Sequence, residues 1–458
     1  DLPEKIISQI DNPFIATFSV MMWNEQLSLQ VAKEIKDKFP NCIIIFGGAQ
    51  PPHRPIDYFK KYPFIDITVR GQGEETFSKI LTALVDKSDL REIPSMSWRD
   101  PVSGECIVNE EELIFNNDLD RFPSPYLKGL YDDLIKSRKD LNFQAILETN
   151  RGCPFMCTFC YWGMGGLNRK FSFHSIERIK QEFEWCGKNG IVYIFNADSN
   201  FGQHDRDMEI VDALIKTKEK FGYPEKFRTC YGKNTDEKIY EIARKMFENK
   251  LEKGITLSRQ SNDREVLKII KRGNIKMSTY VNLQKKFNEA DIPVYSELIL
   301  GLPGETYNSW KQGIEDLLQA GLKNQLFIYL CQVFPNTELA DEGYREQHGI
   351  LTKRIELNEL HGSFRKPGEI IEYEDVVITT KTMSLSSWKS MVVFSLTTMV
   401  FHSLKLGFFI LMYLADRFAI KHTDFLSFVS ENKMPQKTAP FIKNELRQFY
   451  EHTERILE

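Results

Sequence analysis

The sequence predicts an α/β protein built on parallel strands: an N-terminal doubly wound unit, a partial (β/α)6 barrel and a helical C-terminal domain. Three observations predict it. Short apolar runs alternate with segments of helical spacing through residues 1–120 and again through 144–335. The early runs end in glycine turns, Gly47-Gly48 and Gly71-Gln72-Gly73. Beyond residue 336 most of the chain has helical spacing.

The elements follow in order. Phe14–Val20 is an apolar strand, and Glu25–Lys38 is a helix with Leu29, Ala32, Ile35 and Phe39 on one face. Cys42–Phe46 is a continuous apolar run, as a strand covered on both faces requires. Ile65–Val69 is the next strand, and a helix follows Gly71-Gln72-Gly73-Glu74-Glu75. In such units ligands bind beyond the carboxyl ends of the strands, where these turns lie. Only about half of a five-stranded unit is expected within residues 1–120. Residue 1 is Asp, so a trimmed N-terminus is expected. Residues 90–143, with Pro94, Pro101, Pro123 and Pro125, read as irregular, and 121–143 as a linker. Six strands are expected in the barrel: Gln144–Thr149, Val192–Asn196, Lys226–Cys230, Gly254–Leu257, Val294–Leu300 and Gln325–Cys331. Residues 336–458 form the helical domain. Within it, Met391–Leu414 is long enough to span a bilayer. His402, Lys405 and Gly407 interrupt it, so it is expected to form buried helices rather than a membrane span.

The 458 residues carry a formal net charge of -4, against a nucleic-acid partner. Of the eight cysteines, Cys42, Cys106, Cys186, Cys230 and Cys331 are scattered and expected to be buried small hydrophobes. A disulfide framework is not expected, which points to a reducing, cytoplasmic compartment. The other three, Cys153, Cys157 and Cys160, stand in C-x3-C-x2-C on the loop after the first barrel strand. Thiolates suit iron–sulfur clusters and zinc. Three protein sulfurs on a cubane leave one iron open for chemistry. A zinc site would need a fourth ligand, for which His174 is nearest, at a spacing unlike the common fingers.

The cysteine loop resembles that of the radical S-adenosylmethionine (SAM) superfamily, C-x3-C-x-aromatic-C, with Phe159 as the aromatic. The resemblance implies that Cys153, Cys157 and Cys160 hold a [4Fe-4S] cluster, that SAM chelates its fourth iron, and that one electron cleaves SAM homolytically. It assigns the amino group of SAM to Asn196, Asp198 and Asn200, although the usual Gly-Gly-Glu is absent. It assigns ribose and carboxylate to Ser258, Arg259 and Gln260. The turn Gly301-Leu302-Pro303-Gly304-Glu305 is similar to the family's G-x-P-G-E, with Gly301 and Pro303 near the adenine and Glu305 ordering the turn.

The N-terminal motifs resemble the cobalamin-binding domain fused to one subfamily, the class B methyltransferases. They are 18–24 with Trp23 and Asn24, Gly47-Gly48-Ala49, and Gly71-Gln72-Gly73-Glu74. By resemblance they wrap methylcobalamin or hydroxocobalamin, with Trp23 either at the lower face or packed at an interface. Ala49 replaces the usual Pro, no Asp-x-His-x-x-Gly is found, and earlier βα units are missing. The resemblance implies a deoxyadenosyl radical that removes hydrogen from an unactivated carbon, methyl delivery from methylcobalamin, and a second SAM that remethylates cobalt. Tyr161 and Trp162 are candidates for the reaction cavity. The expected partners are a small-molecule or peptide substrate and a flavodoxin- or ferredoxin-like electron donor, on a monomer. Two alternatives remain open: a rearrangement or cyclisation with the same cofactors, and a non-enzymatic corrinoid or iron–sulfur module.

Overall fold

The computed structural model describes residues 3–110, 117–164, 169–232, 237–357, 368–434 and 440–457. After helix α1 (Pro3–Ile7) come β1 (Ile15–Ser19), α2 (Glu25–Lys38), β2 (Ile43–Gly47), α3 (Ile56–Lys61), β3 (Ile67–Val69) and α4 (Gly73–Asp86). The three strands are parallel and neighbours in chain order. Strand alternation sends successive β2 side chains to opposite faces. Ile44 and Phe46 join Leu29, Ala32 and Ile35 of α2 in one core, while Ile45 joins Ile80 and Ala83 of α4 in the other.

Residues 90–110 are not irregular, contrary to expectation. β4 (Met96–Arg99) and β5 (Cys106–Val108) form a hairpin that extends the sheet antiparallel to β3. The two prolines mask it, because Pro94 and Pro101 leave only a four-residue strand between them. Asp100 closes the turn by accepting from the backbone N–H of Val102 and Ser103, and Gly104 supplies φ +73°. Helix α5 (Asp132–Ser137) lies in the expected linker.

The barrel begins with β6 (Gln144–Leu147), β7 (Asn150–Arg151), α6 (Tyr161–Met164), β8 (Ser172–Phe173) and α7 (Ile176–Lys188). It continues through β9 (Tyr193–Phe201), α8 (Arg206–Phe221), β10 (Lys226–Tyr231), α9 (Glu237–Glu248), β11 (Ile255–Gln260), α10 (Arg264–Ile269), α11 (Met277–Glu289), β12 (Val294–Leu300), α12 (Tyr307–Gln319) and β13 (Leu326–Leu330). All six expected strands are present. They form two parallel three-stranded sheets, β6-β9-β10 and β11-β12-β13. Alternate residues pack under the helices, as in the Val294, Ser296, Leu298 and Leu300 series of β12. The intervening residues face a partly open interior.

The C-terminal region holds α13 (Glu342–His348), an antiparallel pair β14 (Leu351–Glu356) and β15 (Tyr373–Thr379), then α14 (Leu385–Thr398), α15 (Phe408–Phe418), α16 (His422–Ser430) and α17 (Pro440–Leu457). The β pair is an addition to a region expected to be mostly helical. Among the described residues no single helix is long and apolar enough to cross a membrane; the α14–α15 pair is bent by 90°. α14 is buried as expected, but α15 buries only Leu411 and leaves Phe409 80% exposed. Two contacts tie this end of the chain to the N-terminal unit. Glu372 accepts from Gln26 N (2.8 Å) and Leu27 N (2.9 Å), capping the positive end of α2. Asn336 accepts from His53 N at 2.7 Å and donates to the carbonyls of Ala49 and Pro51.

Candidate active site

The three cysteines lie on the loop between β7 and α6, and buried polar groups fix the turn that leads into it. Asp198 on β9 accepts from Thr149 N (2.7 Å), Asn150 N (3.1 Å), Asn150 Nδ2 (2.7 Å) and the Thr149 hydroxyl. Burial pushes its carboxyl up to about 6, and these donors oppose the shift. Ser199 donates to Gly152 O at 2.7 Å, and Asn200 Nδ2 donates to Cys153 Sγ at 3.3 Å. The far side is pinned by Thr158 N to Ile270 O and by Leu339 N to Thr158 O. Cys153 and Cys157 are buried and Cys160 half-buried.

Arg272, which the sequence reading missed, faces this loop. It lies buried after α10, donating to Ser258 O (2.9 Å) and Asn274 Oδ1 (2.9 Å), and its guanidinium also neighbours Cys157. Burial lowers its proton affinity, and the charges of Cys157 and Cys160 oppose that. Among the described residues no three His, Cys, Asp or Glu side chains converge on one metal ion. His174 turns instead to Asp120 at 3.0 Å. An N–H donor to sulfur and a buried guanidinium beside Cys157 fit an anionic iron–sulfur cluster.

The other rim candidates divide. Asn196 donates to Thr229 Oγ1 at 3.1 Å on the helix-facing side of β9, so it points away from the interior. Asp198 is engaged by the cysteine loop, leaving Asn200 as the member of that trio on a cysteine. Ser258 donates to Glu297 on the interior face. Arg259 turns outward, to Asn262 Oδ1 (2.8 Å), Ile275 O (2.6 Å) and the face of Tyr280. Alternation explains it: Arg259 follows Ser258, so it falls on the opposite face. Gln260 has φ +64° and a buried Oε1 without a partner. Gly301 has φ +105°, and a Cβ there would meet Cys331 and Val377 at 3.2 Å. Pro303 is buried in the same turn, which Glu305 orders through Ser261 and Ser309. Phe159 packs against the main core.

The glycine turns line a cavity of about 570 Å³. Its walls include Gly47, Gly48, Gly71, Gly73 and Glu74 from the N-terminal unit, with Glu148, Arg151 and Trp162 from the barrel. Trp23 and Asn24 do not line it. Trp23 is 64% exposed, and Asn24 ties down its own turn through Met21 N and Ser19 O. Phe18 and Phe77, which the sequence reading did not name as site residues, line it instead. Arg151 joins the two units: it donates to Gln72 Oε1 (3.1 Å) and pairs with Glu74 (2.8 Å) and Glu148 (2.9 Å). Tyr161 lies in α6 beside Trp162; the Gly165-Gly166 turn falls outside the described residues. Of the scattered cysteines, Cys42, Cys186 and Cys331 are buried as expected, but Cys106 is half-buried and Cys230 exposed.

Residues 147–317 match the family described as the radical SAM superfamily. The chain carries a radical SAM domain. It is 34% identical over 390 residues to "Cobalamin-dependent radical SAM methyltransferase TokK" of Streptomyces tokunonensis, covering 84% of this chain and 56% of that protein. It is 33% identical over 427 residues to "2-(S-pantetheinyl)-carbapenam-3-carboxylate methyltransferase" of Streptantibioticus cattleyicolor, covering 92% of this chain and 62% of that protein. The chain thus spans about three-fifths of the length of these curated relatives. The solved structure of TsrM from Kitasatospora setae, with cobalamin and a [4Fe-4S] cluster bound, superposes with a TM-score of 0.63 at 14% identity, covering 99% of this chain and 90% of that one. OxsB with aqua-cobalamin and SAM bound gives 0.61 at 16% identity, covering 99% of this chain and 64% of that one. These two likenesses show the fold: an α/β unit, a radical SAM barrel and a helical end arranged as here.

Proposed function

We propose that this radical SAM enzyme is a cobalamin-dependent C-methyltransferase acting on an unactivated carbon of a carboxylate-bearing natural product, of the carbapenam-3-carboxylate class that one relative's name specifies. The observation that carries the reading is the Arg151 bridge. Arg151 precedes the cysteine loop by one residue, yet its guanidinium lies on Gln72 and Glu74 of the glycine turn. The cysteine loop and the strand-end cavity therefore border one space. Proposed domains are a cobalamin unit (1–120), linker (121–143), barrel (144–335) and C-terminal cap (336–458). The enzyme works as a cytoplasmic monomer served by a flavodoxin- or ferredoxin-like donor.

Bound together, the cluster, SAM and the corrinoid would supply one-electron cleavage of SAM, hydrogen abstraction and a methyl group. The chain's residues position and shield. Cys153, Cys157 and Cys160 would hold the cluster, and Asp198 and Asn200 fix their loop. Arg272 offers a buried cation beside Cys157, and Gln260 an unpartnered acceptor at the rim. Trp162 and Phe18 wall the cavity and exclude water. Gly47 and Gly48 keep β2's end low enough for a flat ligand.

The test is anaerobic turnover with methyl-deuterated SAM. A product heavier by three deuteriums supports methyl transfer; an unlabelled, rearranged product refutes it.

A further inference from the structure

Arg228 on β10 faces the barrel interior, without a side-chain partner among the described residues. The flanking Phe227, Thr229 and Tyr231 are buried on the helix side, so Arg228 faces the interior, where it is exposed. In the ladder it lies level with Phe195 of β9, which lies level with Ile146 of β6. Ile146 shares its strand face with Glu148, two residues on, which lines the cavity under the glycine turns. Arg228 does not itself line that cavity, but its strand face leads toward the Glu148 end of it. Arg228 makes no hydrogen bond or ion pair with any described residue. Burial raises the phenols of Tyr193 on β9 and Tyr329 on β13, and the charge of Arg228 opposes both shifts. Tyr329 belongs to the other half-sheet, so the cation reaches across the opening. Glu252, a carboxylic acid within the field of Arg228, is already engaged: burial raises it to about 8, and it bonds the Tyr231 hydroxyl. A guanidinium that faces the barrel interior and makes no ion pair with a described residue can take a planar anion in a bidentate pair.

We propose that Arg228 binds the carboxylate of the substrate and so orients the carbon to be methylated. The inference rests on the function proposed above. Two cofactors also carry anionic groups. The carboxylate of SAM would lie at the cluster edge, near Arg272, whose charge neighbours include Cys157 and Cys160. Those of Arg228 are Tyr193, Tyr329 and Glu252. The corrinoid's phosphate would lie with the glycine turns of the other unit.

The test uses the reconstituted holoenzyme with SAM, and equilibrium binding of a carbapenam-3-carboxylate and of its neutral methyl ester. The wild type is expected to prefer the carboxylate by about ten- to a hundredfold. Arg228→Gln abolishes the preference, and Arg228→Lys retains part of it. Iron content, corrinoid content and SAM affinity stay unchanged in both variants. Equal binding of acid and ester by the wild type, or binding of neither, overturns the inference. So does a full preference in Arg228→Gln, or a loss of SAM affinity instead of substrate affinity. Discrimination without methyl transfer keeps the anion site and removes the methyltransferase reading. Methyl transfer with discrimination intact in Arg228→Gln does the reverse.

Discussion

Gly48 is the position where one methyl group should do most damage to the cavity. A Cβ there would sit 2.4 Å from Val20 O and 2.9 Å from Val20 N, with the backbone at φ +100°. No side-chain rotation relieves this, since both neighbours are main chain. The backbone must retreat, and two hydrogen bonds hold it in place: Val20 N to Gly47 O (2.7 Å) and Gln50 N to Val20 O (3.2 Å). The left-handed conformation costs about 1–2 kcal/mol and each weakened hydrogen bond about 1 kcal/mol, so Gly48→Ala should destabilise the turn by about 2–4 kcal/mol. Hydrogen exchange is the assay. The amides of Val20 and Gln50 should exchange about 30- to 1,000-fold faster, at tenfold per 1.4 kcal/mol. Gly47→Ala is the control: its Cβ would meet Val69 at 3.9 Å, an ordinary contact. It should leave exchange unchanged while placing a methyl group in the cavity wall, weakening corrinoid retention alone. Native exchange rates in Gly48→Ala would refute the steric argument.

Three further outcomes are expected. Arg151→Met removes a guanidinium whose side chain is 15% exposed from partners that are 40% and 23% exposed, which costs about 1–3 kcal/mol. The ratio of corrinoid to iron after gel filtration should fall, with iron unchanged. Asp198→Asn turns an amide donor either toward Asn150 Nδ2 or toward the N–H groups of Thr149 and Asn150, costing about 1–3 kcal/mol, and should lower iron per chain on reconstitution. The C-terminal helices should be acid-labile: burial lowers His402 from 6.5 to about 4, so its contribution is complete above 6.5 and is lost as the pH falls toward 4, by roughly 3 kcal/mol. Glu315 is also buried, but its bonds to His422 and Thr423 hold it at about 2, so a second loss follows between pH 4.5 and 2. His402→Gln should flatten the first loss in thermal scans, and an unchanged pH slope would contradict the assignment.

The elements that were legible in the sequence are those whose burial pattern is simple. β2 is covered on both faces and reads as an unbroken apolar run, and α2 shows its single buried face at helical spacing. The β4–β5 hairpin was not legible, because four- and three-residue strands bracketed by prolines carry too little pattern. β14–β15 was hidden for another reason: mixed polar residues such as Lys353, Arg354, Glu374 and Asp375 cover much of a two-stranded pair. In the site, the cysteine spacing located the loop, but motif position could not say which face a neighbour occupies. Arg259 and Asn196 were assigned by position along the strand, and pleating sends both away from the interior. Arg272 lies past α10, outside every motif, and only the fold brings it to Cys157. The C-terminal half of the apolar stretch was misread because α15 turns by 90° and leaves most of its face uncovered.

The account rests on three thiolates holding a cluster with one open iron. Its most direct measurement is 5'-deoxyadenosine formed from SAM by the reduced, anaerobically reconstituted protein, compared with Cys157→Ala at matched chain concentration. The account predicts deoxyadenosine with the wild type, and only background with the variant, which should also lose its iron. Deoxyadenosine at wild-type levels from Cys157→Ala, or none from a wild type loaded with four irons per chain, would contradict it.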